Sequence, residues 1–341
     1  MDSTPPDWRI GERIAASRPC PITGDSEAEV VAVRDRHGKP LRNVVSAGSG
    51  IVYADPLPVE DLAAFYREDY RLAYKGSFVP KAKHIARAAG VALERHVHSC
   101  GAAQAGMRTL DIGAGGGENV YLMQRLGCEA RGIEPNLGYG GFSREHYGVD
   151  VFLGMHQEAD SEPASFDLVS LYQVLEHLAD PVADLRSMAR FLRPGGLFLI
   201  EVPDILFPGM RFDHKWHPGH LFGYDALTLE AVAAKAGLRK RFVTVLPGNL
   251  FGVFEKCEDG GDSLAPPDLV GNAQRAKAAL EQGKRRYWAL PGTYTKVPRR
   301  LCQRVAEKWT VSRAKSPRAI LDRIYAGIGA ESSSAPEGMA I

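Results

Sequence analysis

A short stretch near the middle of the chain, TLDIGAGGG at residues 109–117, combines an acidic residue with a run of glycines. An apolar segment ends at Asp111, and a turn with Gly113, Gly115 and Gly117 precedes apolar residues at helical spacing. Glycines permit positive φ angles and let a ligand contact bare backbone, while the first turn of a helix offers unpaired N–H groups. The stretch predicts a strand, a glycine turn and a helix that bind a nucleotide-like ligand, although glycines also form ordinary tight turns.

A second short apolar segment ends in Glu134, about 20 residues after the first acid, where nucleoside-binding α/β units place a carboxylate on the ribose hydroxyls. The dinucleotide fingerprint Gly-x-Gly-x-x-Gly would need a glycine where this chain has Glu118. The Asp111 carboxylate would also repel a pyrophosphate, whereas it suits an ammonium or a sulfonium cation. These residues therefore predict a positively charged nucleoside as the ligand.

This pattern of Asp111, three alternate glycines and Glu134 resembles the first two motifs of the class I S-adenosylmethionine-dependent methyltransferases. A Leu-Glu-His-Leu string at residues 175–178, followed by Asp180-Pro181 and then by Arg-Pro-Gly-Gly at residues 193–196, is similar in order and spacing to the small-molecule members. The resemblance implies methyl transfer as the activity and S-adenosyl-L-methionine as the cofactor.

The resemblance also implies a set of cofactor-binding residues. They are Asp111, Gly113, Gly115, Gly117, Glu134, Met155, His156, Tyr172, Gln173, Tyr74 and Ser77. Two of these assignments have structural alternatives: Tyr74 ends a tyrosine row at four-residue spacing that is typical of a packed helix face, and His156 fits a packing role equally well.

Residues 203–224 contain His214, His217 and His220, and the imidazole group suits zinc and iron. We predict no metal here, because no cysteine or regular Glu-x-x-His pair accompanies them. The resemblance places a substrate-covering loop at this position, so we expect His217 or His220 to be the base. His177 either lines the methyl-transfer site, as a third catalytic candidate, or supports a helix together with its neighbour Glu176.

The N-terminal segment resembles the zinc ribbon that precedes the methyltransferase domain of bacterial sugar C-methyltransferases. Of the four positions that would bind zinc, Cys20 keeps its thiol, and Thr23, Ser46 and Ser49 take the others. The soft ligands of a structural zinc site are therefore missing, and we predict a metal-free hairpin module.

The elements that must position these residues predict an α/β fold with a Rossmann-like seven-stranded sheet. Two alternating segments around residues 247–249 predict its closing antiparallel hairpin. We expect an arm and a degenerate zinc-ribbon-like hairpin module over residues 1–58, a methyltransferase domain with N-terminal helices over 59–257, and a helical extension with a flexible tail over 258–341. The last part could pack, form a lid or make a homodimer.

Composition narrows the possible binding partners and the cellular location of the protein. The 341 residues carry a net charge of +1, which gives no basic footprint for nucleic acid. No apolar run approaches about 20 residues, so we expect no membrane contact, and the chain start and five cysteines favour a cytoplasmic enzyme. The expected acceptor is a small hydroxylated molecule, a nucleotide sugar or secondary metabolite, methylated at oxygen, carbon or nitrogen. The alternatives are an NAD-dependent oxidoreductase, which Asp111 disfavours, and a non-catalytic S-adenosylmethionine-binding partner protein.

Overall fold

A computed structural model describes residues 7–58, 79–258 and 264–328. Its strands are β1 Arg13–Ala15, β2 Glu27–Arg34, β3 Pro40–Ser46, β4 Val52–Ala54, β5 Arg108–Ile112, β6 Glu129–Glu134, β7 Asp150–Leu153, β8 Phe166–Tyr172, β9 Leu192–Pro203, β10 Phe222–Gly223, β11 Leu238–Leu246 and β12 Asn249–Lys256. Its α-helices are α1 Ala82–His98, α2 Glu118–Arg125, α3 Leu137–Tyr147, α4 Pro181–Ala189, α5 Ala226–Lys235, α6 Asn272–Arg286, α7 Pro291–Ser312 and α8 Pro317–Ile324.

The described residues form two compact units. Residues up to 58 and those from 171 to 298 make the first unit, and residues 79–170 with 299–328 make the second. The domain boundaries expected from the sequence, after residues 58 and 257, stay predictions. None of the helices in the described part combines the length and hydrophobicity that crossing a membrane requires.

Within residues 79–258, seven strands form one mixed sheet in the order β11-β12-β9-β8-β5-β6-β7. The β5–β6 and β6–β7 pairs are parallel, whereas β12 pairs antiparallel with both β11 and β9. The closing hairpin turns at Gly248, where φ is 97°. The predicted α/β fold, with its hairpin, small N-terminal β module and C-terminal helices, is confirmed.

Helix starts and stops follow side-chain chemistry that the sequence displays. Asp225 caps α5 through a capping box with Thr228, and the chain leaves this helix at Gly237 with φ of 84°. Asp180 caps α4, and Pro181 occupies the first turn, where the missing N–H costs nothing. These caps fix the ends of the helices on either side of the histidine-containing loop.

The second unit includes the last helix. The Tyr325 hydroxyl donates to the backbone oxygen of Glu118 at 3.1 Å, and the Tyr121 hydroxyl donates to Asp322 at 2.5 Å. Both contacts join the C-terminal segment to α2, the helix that follows the glycine turn. The segment after residue 298 therefore packs on the structural element that forms the candidate cofactor site.

The N-terminal module is completed by later parts of the chain. Its strands run in the order β1-β2-β3-β4-β10, and β10 pairs antiparallel with β4 through Phe222 opposite Tyr53. One face carries an apolar cluster to which α6 contributes Ala276 and Leu280. The module thus buries its core against residues more than 150 positions away in sequence.

Two turns of this module share one geometry. Gly24 N donates to Cys20 O at 2.8 Å, and Gly50 N donates to Ser46 O at 3.0 Å. In the first turn, Thr23 N donates to the Cys20 Sγ at 3.4 Å, and in the second Ser49 N donates to the Ser46 Oγ at 3.2 Å. The Cys20 thiol lies 3.1 Å from the Ser49 hydroxyl, so the two turns face each other.

Candidate active site

The glycine turn joins β5 to α2 as the sequence predicts. Gly113, Gly115 and Gly117 have φ angles of 77°, 57° and 81°, a region that other residues rarely occupy. A Cβ atom on Gly117 would lie 2.6 Å from the Cβ of Ser143, so a side chain has no room there. The turn therefore requires glycine for both its conformation and its packing.

Asp111 lies near the end of β5 and is buried. The Ser170 hydroxyl, on β8, donates to its Oδ1 at 2.5 Å, and the Asn119 amide donates to the same hydroxyl at 3.4 Å. Burial raises the pKa of Asp111 to about 6, and the Ser170 hydrogen bond offsets part of that rise. Ionisation of this buried carboxyl is therefore unfavourable unless a positively charged group lies beside it.

Glu134 ends the neighbouring parallel strand, β6. Its Oε2 accepts from Gly115 N at 2.6 Å, and its Oε1 accepts from Asn136 N at 3.0 Å. These two backbone hydrogen bonds tie the glycine turn to the start of α3. Two buried carboxylates at the ends of adjacent strands suit a ligand with a cation and hydroxyl donors, as S-adenosylmethionine has, and disfavour a diphosphate.

The other predicted cofactor residues fall into two groups. In the second unit, His156 is buried and Met155 N donates to the Glu158 Oε2 at 2.7 Å. In the first unit, Gln173 has a φ of 59°, unusual outside glycine, and its amide donates to the Glu201 Oε1 at 2.9 Å. Tyr172 is buried and stacks on Phe251. Tyr74 and Ser77 lie outside the described residues.

Three histidines meet in the first unit. The ring centroids of His217 and His220 are 4.3 Å apart in a stacked pair, and the His177 ring meets His220 edge-on at 4.9 Å. The backbone of Gly219 contacts His177 and His217: its carbonyl oxygen lies 2.6 Å from the His177 Nδ1, and its N–H donates to the His217 Nδ1 at 2.9 Å. The structure thus brings together all three predicted catalytic residues.

Burial controls the charge of this histidine cluster. It lowers the pKa of His217 to about 3, with a smaller contribution from Arg36, and lowers the pKa of His220 well below its ordinary value. Both imidazoles are therefore neutral at pH 7 and carry a lone pair.

Several supporting residues were missed by sequence reasoning. Ser170 and Gly219 act through contacts that span 59 and 42 residues, with Asp111 and His177. The Lys215 ammonium acts within its own loop, where it donates to the backbone oxygens of Ile205 and Phe207 at 2.6 and 2.7 Å. Burial lowers the pKa of Lys215 to about 8. Ser170 left the clearest signal, as a hydroxyl within the apolar part of β8 that follows Asp167.

One group of side chains could hold a metal ion. Ligand atoms of Glu176, His177 and His220 lie within 4.8 Å of one another, and the Glu176 Oε1 is 3.6 Å from the His177 Nε2. In the histidine-containing loop, the sequence suggested His214, His217 and His220 as the metal ligands to consider. Glu176 and His177 come from a different segment, directly after β8.

Residues 83–241 match a family model described as a methyltransferase domain. The chain is 39% identical over 102 residues to the ubiquinone biosynthesis O-methyltransferase of Xanthomonas euvesicatoria, covering 28% of this chain and 43% of that protein. The corresponding protein of Ruegeria pomeroyi is 41% identical over 98 residues, covering 27% of this chain and 40% of its own length. The chain thus spans less than half the length of these relatives.

Solved structures also resemble the chain. An S-adenosylmethionine-dependent methyltransferase of Thermotoga maritima, described as a possible histamine N-methyltransferase, has a TM-score of 0.41 at 17% identity, covering 57% of this chain and 98% of its own. A methyltransferase of the same dependence from Aquifex aeolicus has a TM-score of 0.40 at 16% identity, with coverages of 48% and 87%. The family match thus covers residues 83–241 of the 341, and the cofactor that a methyltransferase domain implies is S-adenosylmethionine.

Proposed function

We propose that this chain transfers the methyl group of S-adenosylmethionine to a hydroxyl oxygen of a small acceptor. The observation that carries the proposal is the buried Asp111 carboxyl beside a glycine turn that Glu134 ties in place. The match over residues 83–241 and the O-methyltransferase names of the relatives support it. Those names favour oxygen over carbon or nitrogen as the accepting atom.

The proposed cofactor supplies an electrophilic methyl group on a sulfonium sulfur. The role of Asp111 is to attract the cationic part of the ligand, because a carboxylate and a cation interact more strongly in a buried site than in water. The role of Glu134 is to accept hydrogen bonds from hydroxyl donors. Gly113 and Gly115 leave the backbone bare, so that a ligand can approach it closely.

We propose that His220 accepts the proton of the acceptor hydroxyl. The tautomers of the other two histidines, which their contacts with Gly219 determine, support this role. The His217 Nδ1 accepts the Gly219 N–H, so the neutral ring carries its proton on Nε2. The His177 Nδ1 lies at the Gly219 oxygen, which can only accept, so that nitrogen carries the proton. Because the Gly219 backbone orients both of these rings, we assign the base role to His220, which is partly exposed whereas His177 and His217 are buried.

Incubation of the full chain with S-adenosylmethionine and a panel of phenols, hydroxy acids and nucleotide sugars tests the proposal. We expect one acceptor to gain a methyl group, with an equal amount of S-adenosylhomocysteine formed. Cofactor binding without product from any class would favour the non-catalytic partner protein. Calorimetric binding of NADH in place of S-adenosylhomocysteine would favour the oxidoreductase and overturn the proposal.

We also propose that the N-terminal module keeps the framework of a zinc ribbon whose ligands have been replaced. Its support is the matched pair of turns, in which a backbone N–H donates to Cys20 in one and to Ser46 in the other. A T23C/S46C/S49C chain is then expected to bind Zn²⁺ through four thiolates. Failure of that variant to bind Zn²⁺ while folded would argue against the resemblance. The cytoplasmic location and the homodimer stay predictions.

A further inference from the structure

The outer side of helix α7 displays large apolar side chains. Leu301, Val305 and Trp309 follow at four-residue spacing, and they are 61%, 62% and 53% exposed. Residues four apart lie on one face of a helix, so the three side chains form a continuous apolar stripe. Contiguous apolar surface of this kind marks an interaction site, whereas single exposed apolar residues are ordinary.

The opposite side of α7 faces the protein with a charged residue. Glu307 is buried, and both of its oxygens accept from the Arg87 guanidinium on α1, at 2.7 and 2.9 Å. Most helices on a protein surface bury their apolar face and expose the charged one. In this part of α7 the arrangement is reversed, so the apolar stripe points away from the protein.

Positive charge surrounds the stripe. Between residues 299 and 318 the chain has seven basic residues and one acidic residue, and the acid is the buried Glu307. Arg304 and Lys308 are exposed on the same helix. The guanidinium of Arg313 lies 4.0 Å from the centre of the Trp309 ring, and that of Arg323 lies 5.8 Å from it. The apolar ring of Trp309 is thus accompanied by two positively charged groups.

We propose that this face, consisting of Leu301, Val305, Trp309 and the flanking lysines and arginines, docks on an anionic lipid surface. The apolar side chains enter the boundary between headgroups and acyl chains, and the basic groups meet lipid phosphates. A helix with aromatic and aliphatic residues on one side and Lys or Arg beside them has the composition of an interfacial helix.

The positive charge beside the apolar stripe favours a lipid surface over a second copy of the chain as its binding partner. A two-fold dimer through this stripe would place each basic flank against the corresponding flank of the other copy. The basic side chains of the two copies would repel each other, whereas the phosphates of an anionic bilayer attract such side chains. Contact with a surface needs no helix that spans the membrane, so this proposal replaces the expectation of no membrane contact that followed from the lack of long apolar runs. It is independent of the methyl-transfer proposal.

Sedimentation of the full chain with lipid vesicles tests the proposal. We expect at least tenfold more binding to phosphatidylcholine vesicles that contain phosphatidylglycerol than to pure phosphatidylcholine, and weaker binding as salt is raised. The apolar variant L301S/V305S/W309S and the charge variant R304E/K308E should each lose most of this binding. Val245→Ser, an exposed apolar residue on β11, is the matched control and should bind as the unaltered chain does.

Two results would overturn the proposal. One is equal binding to the two kinds of vesicle, and the other is retention of binding by the apolar variant. Sedimentation equilibrium without lipid adds a further discrimination, because a dimer that both variants dissociate would identify a second copy as the occupant. Calorimetry with S-adenosylhomocysteine should give the same affinity for all variants, which separates this surface from the candidate cofactor site and also reports on folding.

Discussion

The glycine turn and the histidine cluster both bury titratable groups, but they satisfy them differently. At the turn, Asp111 receives a hydroxyl hydrogen bond and Glu134 receives two backbone N–H groups. In the cluster, the backbone N–H and carbonyl of one residue, Gly219, orient two imidazole rings. The first region therefore holds two buried carboxyl groups that accept hydrogen bonds, and the second holds imidazole rings, of which His217 and His220 are neutral at pH 7.

This difference indicates separate chemical roles for the two regions. Burial raises the pKa of Asp111 and lowers the pKa of His217 and His220, so in each case the neutral form is favoured. A cationic ligand would restore the charge of Asp111, whereas a proton released by an acceptor would charge an imidazole. We therefore expect variants in the first region to affect binding and variants in the second to affect turnover.

The largest expected effect follows from His220→Ala. A positioned acid or base contributes about 10² to 10⁴ in rate, so kcat should fall by that range while the affinity for S-adenosylhomocysteine is unchanged. His214→Ala, at an exposed position in the same loop, is the control and should leave kcat intact. Turnover and calorimetry on the three proteins measure the two quantities. An unchanged kcat in the His220 variant would show that His220 is not the base.

The next effect concerns Asp111→Asn. A charge pair about 4 Å apart contributes about 4 kcal/mol at an effective dielectric constant of 20, so we expect S-adenosylmethionine to bind about 1000-fold more weakly. Asp167→Asn is a matched control, because that carboxylate accepts the backbone N–H of Arg108 at the start of the same strand, β5. Isothermal calorimetry gives both affinities. If the two variants bind the cofactor equally well, Asp111 does not contact its cation.

The contrast also explains what could be predicted from the sequence. Asp111, the three glycines and Glu134 lie within 24 consecutive residues, so local spacing revealed the strand, the turn and the second acid. The histidine cluster requires contact between His177 and Gly219, which no local pattern encodes. The sequence therefore indicated the three histidines separately, without the Gly219 backbone groups that contact two of them.

The N-terminal module shows the same limit at the level of the fold. Its turns at Cys20 and Ser46 were recognisable from the spacing of the residues. The pairing of β10 with β4 depends on a two-residue strand, Phe222–Gly223, which is too short to give an alternating pattern. Long-range pairing of such a short segment is decided by tertiary packing, and the sequence alone does not display it.

A smaller effect is expected in stability as a function of pH. The pKa of Asp111 rises from 3.8 to about 6 on folding, so the native state binds the proton more tightly. This contribution is complete below pH about 4 and is lost as pH rises through about 6, a change of about 3 kcal/mol. Urea unfolding of the unaltered chain and of Asp111→Asn, compared at each pH, isolates it. If the difference in unfolding free energy between the two proteins is constant from pH 4 to 8, the proposed burial cost is absent.

The smallest expected effect is that of metal chelation on turnover, because we predict that the histidine-containing loop binds no metal. The 3.6 Å contact between the Glu176 Oε1 and the His177 Nε2 is also the contact that a carboxylate makes with a protonated imidazole, so it needs no ion. Dialysis against EDTA should therefore leave turnover unchanged, as should later addition of Zn²⁺. Loss of turnover that Zn²⁺ restores, but not in Glu176→Gln, would instead assign a metal to Glu176, His177 and His220. In that case His220 would be a ligand rather than a base, because its lone pair cannot bind both a metal and a proton.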